Sequence, residues 1–407
     1  MQLSPSARRR GLLALLATTF LMYGGFFMVI PLVSVVYVEQ LGFTVATVGL
    51  SLAMRQLLQQ GLTLGGGMLA DRIGVRLLIG VGVLVRAVGF VCLAYANTPG
   101  LLFLAMALSA LGGALFDAPS RAAMATLTDE TNRARFFSLN GVASGMGMTL
   151  GPLLGALLLR LNFQTVALAA AVCFTAICGV VLLMPSLKLT QDEQPIGYGL
   201  GLALHDRIFL TFTLLMTGYW FMWVQITLSL PLAAERLTGN SDAVGAIYAL
   251  NAGLTVLFQY PILRFAERYL RPLPLLICGL VLMALGLGLV ATATTVSMLA
   301  GCVVLFTLGT LLATPTQQSV TAALADKRAL GSYFGVSSLA LAFGGSLGNA
   351  AGGLMADAAR ASGQPALPWL TFAFVGLCSA IGMTLLARVL KRHRATDQLV
   401  RPSPELT

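Results

Sequence analysis

Long apolar stretches separated by short polar breaks recur along the whole chain. A membrane-spanning helix needs about 20 predominantly apolar residues, and twelve stretches approach or exceed this length. They cover residues 11–38, 44–70, 77–95, 100–119, 136–159, 165–184, 208–234, 243–263, 273–293, 296–315, 333–356 and 367–388. The pattern therefore predicts an all-α membrane protein with twelve transmembrane helices.

The amino-acid composition also indicates a protein that is surrounded by lipid. Hydrophobic residues make up 57% of the chain and charged residues 10%, and the mean hydropathy is +0.87. A soluble domain carries roughly 25% charged residues. A soluble protein so poor in charge could not cover its surface, whereas a lipid-facing protein needs little charge.

The distribution of positive charge predicts the orientation. If the amino terminus is cytoplasmic, 20 of the 25 Lys and Arg residues fall on cytoplasmic segments, and the opposite side holds Arg160, Arg236 and Arg360. Arg55 and Arg86 lie inside predicted spans. The positive-inside rule then predicts a membrane protein with both termini in the cytoplasm. Because the basic residues are scattered over loop ends, they do not indicate a nucleic-acid partner.

No catalytic or metal site emerges from the pattern. The six cysteines fall inside predicted spans without metal-ligand spacing, and His205 and His393 are the two histidines. Small buried cysteines behave as hydrophobic residues. We therefore expect neither a cofactor nor enzymatic activity.

A weak internal repeat divides the chain into two parts. Matching landmarks recur 196 or 197 residues apart, and they are Val48-Gly49 with Val244-Gly245, Asp71-Arg72 with Glu267-Arg268, Asp129 with Asp326, and Gly147…Gly151 with Gly344…Gly348. The repeat predicts two pseudo-symmetric six-helix halves, 1–184 and 207–390, joined by a cytoplasmic loop at 185–206 and followed by a tail at 391–407. Substrate would lie between the halves near the membrane midplane.

A short glycine-containing segment joins the second and third spans. It is Gly67-Met68-Leu69-Ala70-Asp71-Arg72-Ile73-Gly74-Val75-Arg76. Glycine permits the tight turn, and the Asp71 carboxylate could face the positive end of another helix. We predict a conformational latch formed by Gly67, Asp71, Arg72, Gly74, Arg76, Asp117 and Arg121. Asp117, near the end of the fourth span, could carry protons or pair with Arg76 or Arg121.

The fifth span carries a stripe of small residues. Gly147, Gly151, Pro152 and Gly155 share one helical face. Small residues allow close helix approach in membranes, and the proline can bend the helix. The stripe predicts a helix-packing surface that could control the movement of the halves.

Polar residues inside spans are costly and often functional. The candidates for a substrate or proton pathway are Arg55, Gln56, Gln59, Asp117, Tyr219, Trp223 and Asn251, with Glu39 at the outer end of the first span as a further candidate. Arg55 could bind an anionic group or tie helices together. The aromatic residues could line a loosely selective pocket or face lipid.

The 67–76 segment resembles the G-x-L-A-D-R-x-G-x-[RK] loop of the major facilitator superfamily, and 147–156 resembles the antiporter motif of its drug–proton exchangers. Segments 54–61, 115–119, 135–139 and 331–333 look like the MdtH branch of bacterial multidrug transporters. The resemblance implies the twelve-helix fold of that superfamily and drug export against protons. Here Ala156 replaces the final glycine of the antiporter motif, and no acid stands within the first span.

We therefore predict a secondary active exporter of drugs or other small amphipathic molecules that works by alternating access. No nucleotide-binding loop of the G-x-x-x-x-G-K-[ST] form occurs in the sequence, so a proton gradient is the expected energy source. Expected partners are small-molecule substrates and membrane lipids, with the chain acting as a monomer. Two alternatives remain: a transporter of an anionic metabolite or lipid-like anion anchored by Arg55, and a membrane sensor without transport.

Overall fold

A computed structural model describes residues 5–128, 130–184, 198–240, 242–326 and 329–400. Within these ranges the regular elements are helical. The α-helices are α1 (Pro5–Val35), α2 (Val45–Ile73), α3 (Val75–Ala94), α4 (Pro99–Leu127), α5 (Glu130–Leu159), α6 (Phe163–Leu182), α7 (Tyr198–His205), α8 (Arg207–Trp223), α9 (Ser229–Thr238), α10 (Asp242–Tyr269), α11 (Pro272–Leu289), α12 (Val296–Leu324), α13 (Leu330–Ser362) and α14 (Leu367–Val400).

The all-α membrane class predicted from hydropathy is confirmed. In the described part of the chain, ten helices are long and apolar enough to cross a membrane, and α10 contributes a shorter apolar helix, Ala243–Gln259. The predicted span at 44–70 corresponds to α2. The brief connection near residues 293–296 does separate two helices, α11 and α12.

The seventh predicted span, 208–234, falls within one membrane-crossing segment, Arg207–Thr238, whose helix is interrupted. Helix α8 ends at Trp223, a 3-10 turn covers Val224–Ile226, and α9 begins at Ser229. The buried Gln225 side chain stabilises the break, because its Nε2 donates to the carbonyl oxygens of Phe221 at 2.9 Å and Gly348 at 3.0 Å. Its Oε1 accepts a hydrogen bond from Ser229 Oγ at 2.6 Å.

Four other boundaries differ from the sequence-based ones. Helices α4 and α12 continue past Pro119 and Pro315, where spans were predicted to end, because a membrane helix can keep a proline when neighbouring groups satisfy the freed carbonyl. Part of the predicted 185–206 loop forms α7, an apolar segment that packs on α13. Helix α14 runs to Val400, well into the predicted tail.

The two parts of the chain share one packing plan. Helix α3 packs on α4 through glycines, since a Cβ on Gly112 would lie 2.5 Å from the Gly82 carbonyl oxygen. The same contact recurs between α11 and α12, where a Cβ on Gly309 would lie 2.6 Å from the Gly279 carbonyl oxygen. Likewise, α1 packs on α5 and α8 packs on α13.

Candidate functional site

A chain of polar side chains crosses the interior of the amino-terminal half. Gln59 Nε2 donates to Asp117 Oδ2 at 2.9 Å, and Gln59 Oε1 accepts from Arg55 Nη1 at 2.9 Å. Arg55 Nη2 also donates to Gln56 Oε1 at 3.0 Å. Residues four apart on α2 face the same side, so α2 presents Arg55 and Gln59 together to Asp117 on α4. We call Arg55, Gln56, Gln59, Arg86 and Asp117 the N-half polar cluster.

Two arginines of this cluster share one aromatic ring. The guanidinium carbons of Arg55 and Arg86 lie 4.8 Å and 4.6 Å from the centre of the Phe26 ring. Arg86 is also 5.4 Å from the Phe174 ring centre. The negative face of an aromatic ring attracts a cation, so Phe26 on α1 offsets part of the repulsion between two buried positive charges.

The cluster has more donors than acceptors. Arg55 and Arg86 are 8% and 3% exposed, and the Nε atom of each is buried without a hydrogen-bond partner. Two guanidinium groups face one carboxylate, which leaves an excess of one positive charge. Buried unsatisfied donors are costly, so the site is suited to accept a ligand with an anionic or hydrogen-bond-accepting group.

Glycine in α4 makes room for these side chains. A Cβ on Gly113 would lie 2.7 Å from Gln59 Cδ and 2.9 Å from Arg86 Nη1. Any larger residue would force the Gln59 or Arg86 side chain to move. The paired glycines of the fourth span therefore position the cluster as well as the α3–α4 contact.

A small polar cavity reaches Asp117 from the other side. It has a volume of about 30 Å³ and is lined by polar side chains of α1, α4 and α5, namely Thr19, Tyr23, Asp117, Ser120, Arg121 and Asn140. Thr19 Oγ1 donates to Asn140 Oδ1 at 2.7 Å. Such a cavity has room for about one or two water molecules beside the Asp117 carboxylate.

The predicted latch is only partly described. Gly74 stands between α2 and α3 with φ +89°, a conformation that favours glycine. The structure does not describe the side chains of Asp71 and Arg72 or the environment of Gly67. In the part of the chain that the structure describes, neither Arg76 nor Arg121 forms an ion pair with Asp117, although Arg121 lines the same cavity.

The small-residue stripe of the fifth span packs against α1. A Cβ on Gly147 would lie 2.7 Å from the Phe20 carbonyl oxygen, and one on Gly151 would lie 2.6 Å from the Gly24 carbonyl oxygen. Gly155 meets the backbone of α1 as closely. Pro152 lies inside α5 without ending the helix. The stripe thus joins α1 to α5 within one half.

The candidates of the carboxy-terminal half form a separate group. Tyr219 OH pairs with Thr314 Oγ1 at 2.7 Å, and Asn251 Nδ2 donates to Thr307 Oγ1 at 3.1 Å. Trp223 packs edge-on against Trp220, with ring centres 5.5 Å apart. Helices α8, α10 and α12 therefore present polar and aromatic groups, two of which are already bonded to threonines of α12.

The halves meet at the face opposite the amino terminus, which we call the outer face. Asp357 at the end of α13 accepts hydrogen bonds from the backbone N–H groups of Val45 at 3.1 Å and Ala46 at 2.7 Å, at the start of α2. Glu39 Oε1 pairs with Arg236 Nε at 3.1 Å and Arg360 Nη2 at 3.2 Å. The candidate acid Glu39 therefore lies in an ion pair between the halves.

Close backbone packing accompanies these bonds. A Cβ on Gly353 of α13 would lie 2.5 Å from the Val45 carbonyl oxygen, and one on Gly49 of α2 would lie 3.0 Å from Gly353 Cα. Deeper in the membrane, Ser34 Oγ donates to the Thr227 carbonyl oxygen at 3.4 Å. These contacts join the two halves at the outer face, between α2 and α13 and between the end of α1 and the segment that precedes α9.

Comparison with known proteins identifies relatives over nearly the whole chain. The model of the Major Facilitator Superfamily matches residues 15–237 and 208–406. Proteins named Multidrug resistance protein MdtH are 40% identical in Yersinia enterocolitica, covering 94% of this chain and 96% of the relative, and 40% identical in Aeromonas salmonicida, covering 95% and 97%.

Solved structures share the fold at low identity. A bacterial homologue of the human lysosomal transporter Spinster, in an inward-facing and occupied conformation, superimposes with a TM-score of 0.79 at 16% identity over 95% of this chain and 98% of its own. The nucleoside transporter NupG, as its D323A mutant, gives 0.76 at 15% identity over 92% and 99%. The chain belongs to the major facilitator superfamily and is a multi-pass membrane transporter, not an enzyme.

Proposed function

We propose that the chain exports drugs or other small amphipathic molecules across a bacterial inner membrane by alternating access, in exchange for protons. The multidrug resistance proteins that are 40% identical to it support this substrate class. The positive-inside bias supports cytoplasmic termini.

The observation that carries the mechanism is the bonded series Asp117–Gln59–Arg55. Protonation of Asp117 removes the negative charge that balances Arg55 and Arg86. The Gln59 amide links the Asp117 carboxylate to Arg55. Loss of the negative charge on Asp117 therefore changes the electrostatic environment of Arg55, which donates a hydrogen bond to Gln56. Gln56 in turn lies against α13, since a Cβ on Gly345 would be 3.3 Å from Gln56 Cγ. Proton binding in one half is thereby connected to the contact between halves.

Proton flux in inside-out vesicles tests this proposal. A pH-sensitive dye would report proton release when a cationic, neutral or anionic compound is added. We expect dye recovery with wild-type protein and none with Asp117→Asn, while that variant still exchanges radiolabelled substrate across the membrane. Asp206→Asn is the matched control, because Asp206 Oδ1 accepts from the Phe209 N–H within one half.

Radiolabel uptake without dye recovery for any compound would refute proton coupling. Binding without flux in liposomes would instead support the sensor alternative. Recovery that persists in Asp117→Asn would show that another group carries the proton.

The excess positive charge of the cluster favours a second candidate, a transporter of an anionic metabolite or lipid-like anion anchored by Arg55. Replacing Arg55 with Lys, Gln or Ala distinguishes the two. A graded loss of transport confined to anionic compounds would support the anion transporter. Lys keeps the positive charge of Arg55 but cannot form its bidentate hydrogen bonds. Equal loss for every compound would indicate that Arg55 acts by holding α2 to α1 and α4.

A further inference from the structure

A second concave feature lies far from the polar cluster, on the face where α10 ends and α11 begins. It is a groove of about 380 Å³ between these helices and α12. Its lining is apolar and includes Pro261, Phe265 and Tyr269 of α10, Leu275 and Cys278 of α11, and Leu312 of α12.

The groove exists because α10 and α12 do not stay in contact along their whole length. In the amino-terminal half, α2 packs extensively on α4, whereas the corresponding α10 and α12 contact each other less. Pro261 lies inside α10 at the start of the groove. A proline removes one helical hydrogen bond and can bend a helix, so we attribute the separation of α10 from α12 to Pro261.

The wall of the groove faces lipid. Phe265 and Tyr269 are 63% and 73% exposed, and their rings are in tilted contact with centres 5.1 Å apart. Large exposed aromatic residues are costly in water and favourable in a bilayer. From Pro261 to Leu270 the helix rises about 14 Å, which matches one leaflet of a hydrocarbon core about 30 Å thick.

Positive charge lies next to the groove lining in sequence, since Arg268 precedes Tyr269 and Arg271 follows Leu270. Arg268 and Arg271 are exposed, and neither has a hydrogen-bond or ion-pair partner among the described residues. The segment 264–271 holds three arginines and one glutamate, so its formal charge is +2. Anionic headgroups are attracted to such juxtamembrane arginines, and basic pockets between spanning helices bind them.

We propose that this groove binds one anionic phospholipid, with an acyl chain along α10 and the phosphate between Arg268 and Arg271. A second copy of the chain is a poorer occupant, because it would bring the same arginines together in a protein of net charge +10. A transported amphipathic substrate would not account for the arginines, because it could fill an apolar groove without carrying an anionic group. The proposal concerns lipid binding and is independent of what the protein transports.

Native mass spectrometry of the full chain in micelles tests it by titration with phosphatidylglycerol and, separately, phosphatidylcholine. Each arginine near an anionic headgroup contributes about 1 kcal/mol, so the Arg268→Gln/Arg271→Gln variant should bind the tightest phosphatidylglycerol about 30-fold more weakly. Arg388→Gln/Lys391→Gln is the matched control, since both side chains are exposed near the end of α14. It should retain wild-type affinity.

A groove-filling variant provides the second arm. Ala266 lines the groove, and Ala266→Phe should remove the tight site for phosphatidylglycerol while leaving the arginines in place. Ala266→Leu serves if the larger residue lowers the yield of monodisperse protein. Equal binding of the two lipids, an equal loss in the Arg388→Gln/Lys391→Gln control, or a tight site that survives both groove variants would each overturn the proposal.

Discussion

Asp357 is the residue whose change should most directly open the outer face. Its two carboxylate oxygens accept from the first N–H groups of α2, at 3.1 Å and 2.7 Å, and these bonds join the two halves. In Asp357→Asn one amide oxygen remains as an acceptor, but the negative charge at the positive end of α2 is lost. A charge in a partly buried site at a helix end contributes up to about 2 kcal/mol.

A loss of about 1 to 2 kcal/mol from the closed state should raise the population open at the outer face about 5- to 30-fold. Ser34 provides a probe of that population, because it is fully buried and bonded to the opposite half. We would introduce Ser34→Cys into a variant whose six native cysteines are replaced by alanine. The rate of labelling by a membrane-impermeant maleimide added from the outside should then rise by that factor in Asp357→Asn.

Asp206→Asn is again the control, because Asp206 bonds Phe209 N–H and Tyr333 OH within the carboxy-terminal half. Its labelling rate should match that of the parent. An unchanged rate in Asp357→Asn, or an equal rise in both variants, would refute the reasoning that this carboxylate holds the halves together.

Three further changes have defined outcomes. Gly151→Val should lower the free energy of unfolding by about 1–3 kcal/mol, and with it the melting temperature, because it overpacks α5 against α1. Gly145→Val should leave the melting temperature unchanged, because a side chain at residue 145 enters open space. Equal shifts in melting temperature would contradict the packing argument. Glu39→Gln should raise outer-face labelling less than Asp357→Asn, because partly exposed ion pairs contribute at most about 1 kcal/mol; a larger rise would contradict this. Gly74→Ala should lower the melting temperature, because a side chain is strained at φ +89°.

Hydropathy was sufficient to predict the helical class, because a bilayer selects for long apolar segments. It could not predict the break in the seventh span. The break depends on Gln225, a single polar residue whose partner Gly348 is 123 positions away in sequence. A local pattern carries no signal for such a long-range bond.

The candidate site was predictable in part. The spacing of Arg55, Gln56 and Gln59 indicated a polar face on α2, but joining it to Asp117 required the packing of α2 on α4. Nothing local marks Phe26 as the ring that both arginines share.

The outer-face contacts were not predicted from sequence. Asp357 lies immediately after the predicted end of the eleventh span, so it resembled an ordinary loop acid. Its role depends on the packing of α13 against the start of α2, more than 300 positions away in sequence.

The break in the seventh span has a mechanical consequence. Between α8 and α9 the regular helical hydrogen bonds give way to side-chain bonds of Gln225, so bending there strains a few side-chain contacts and leaves both helices intact. Helix α9 carries Arg236, one of the two arginines that hold Glu39. We therefore expect the outer segment of this span to move more easily than α8. Release of the ion pair between Glu39 and Arg236 would then not require the whole span to tilt.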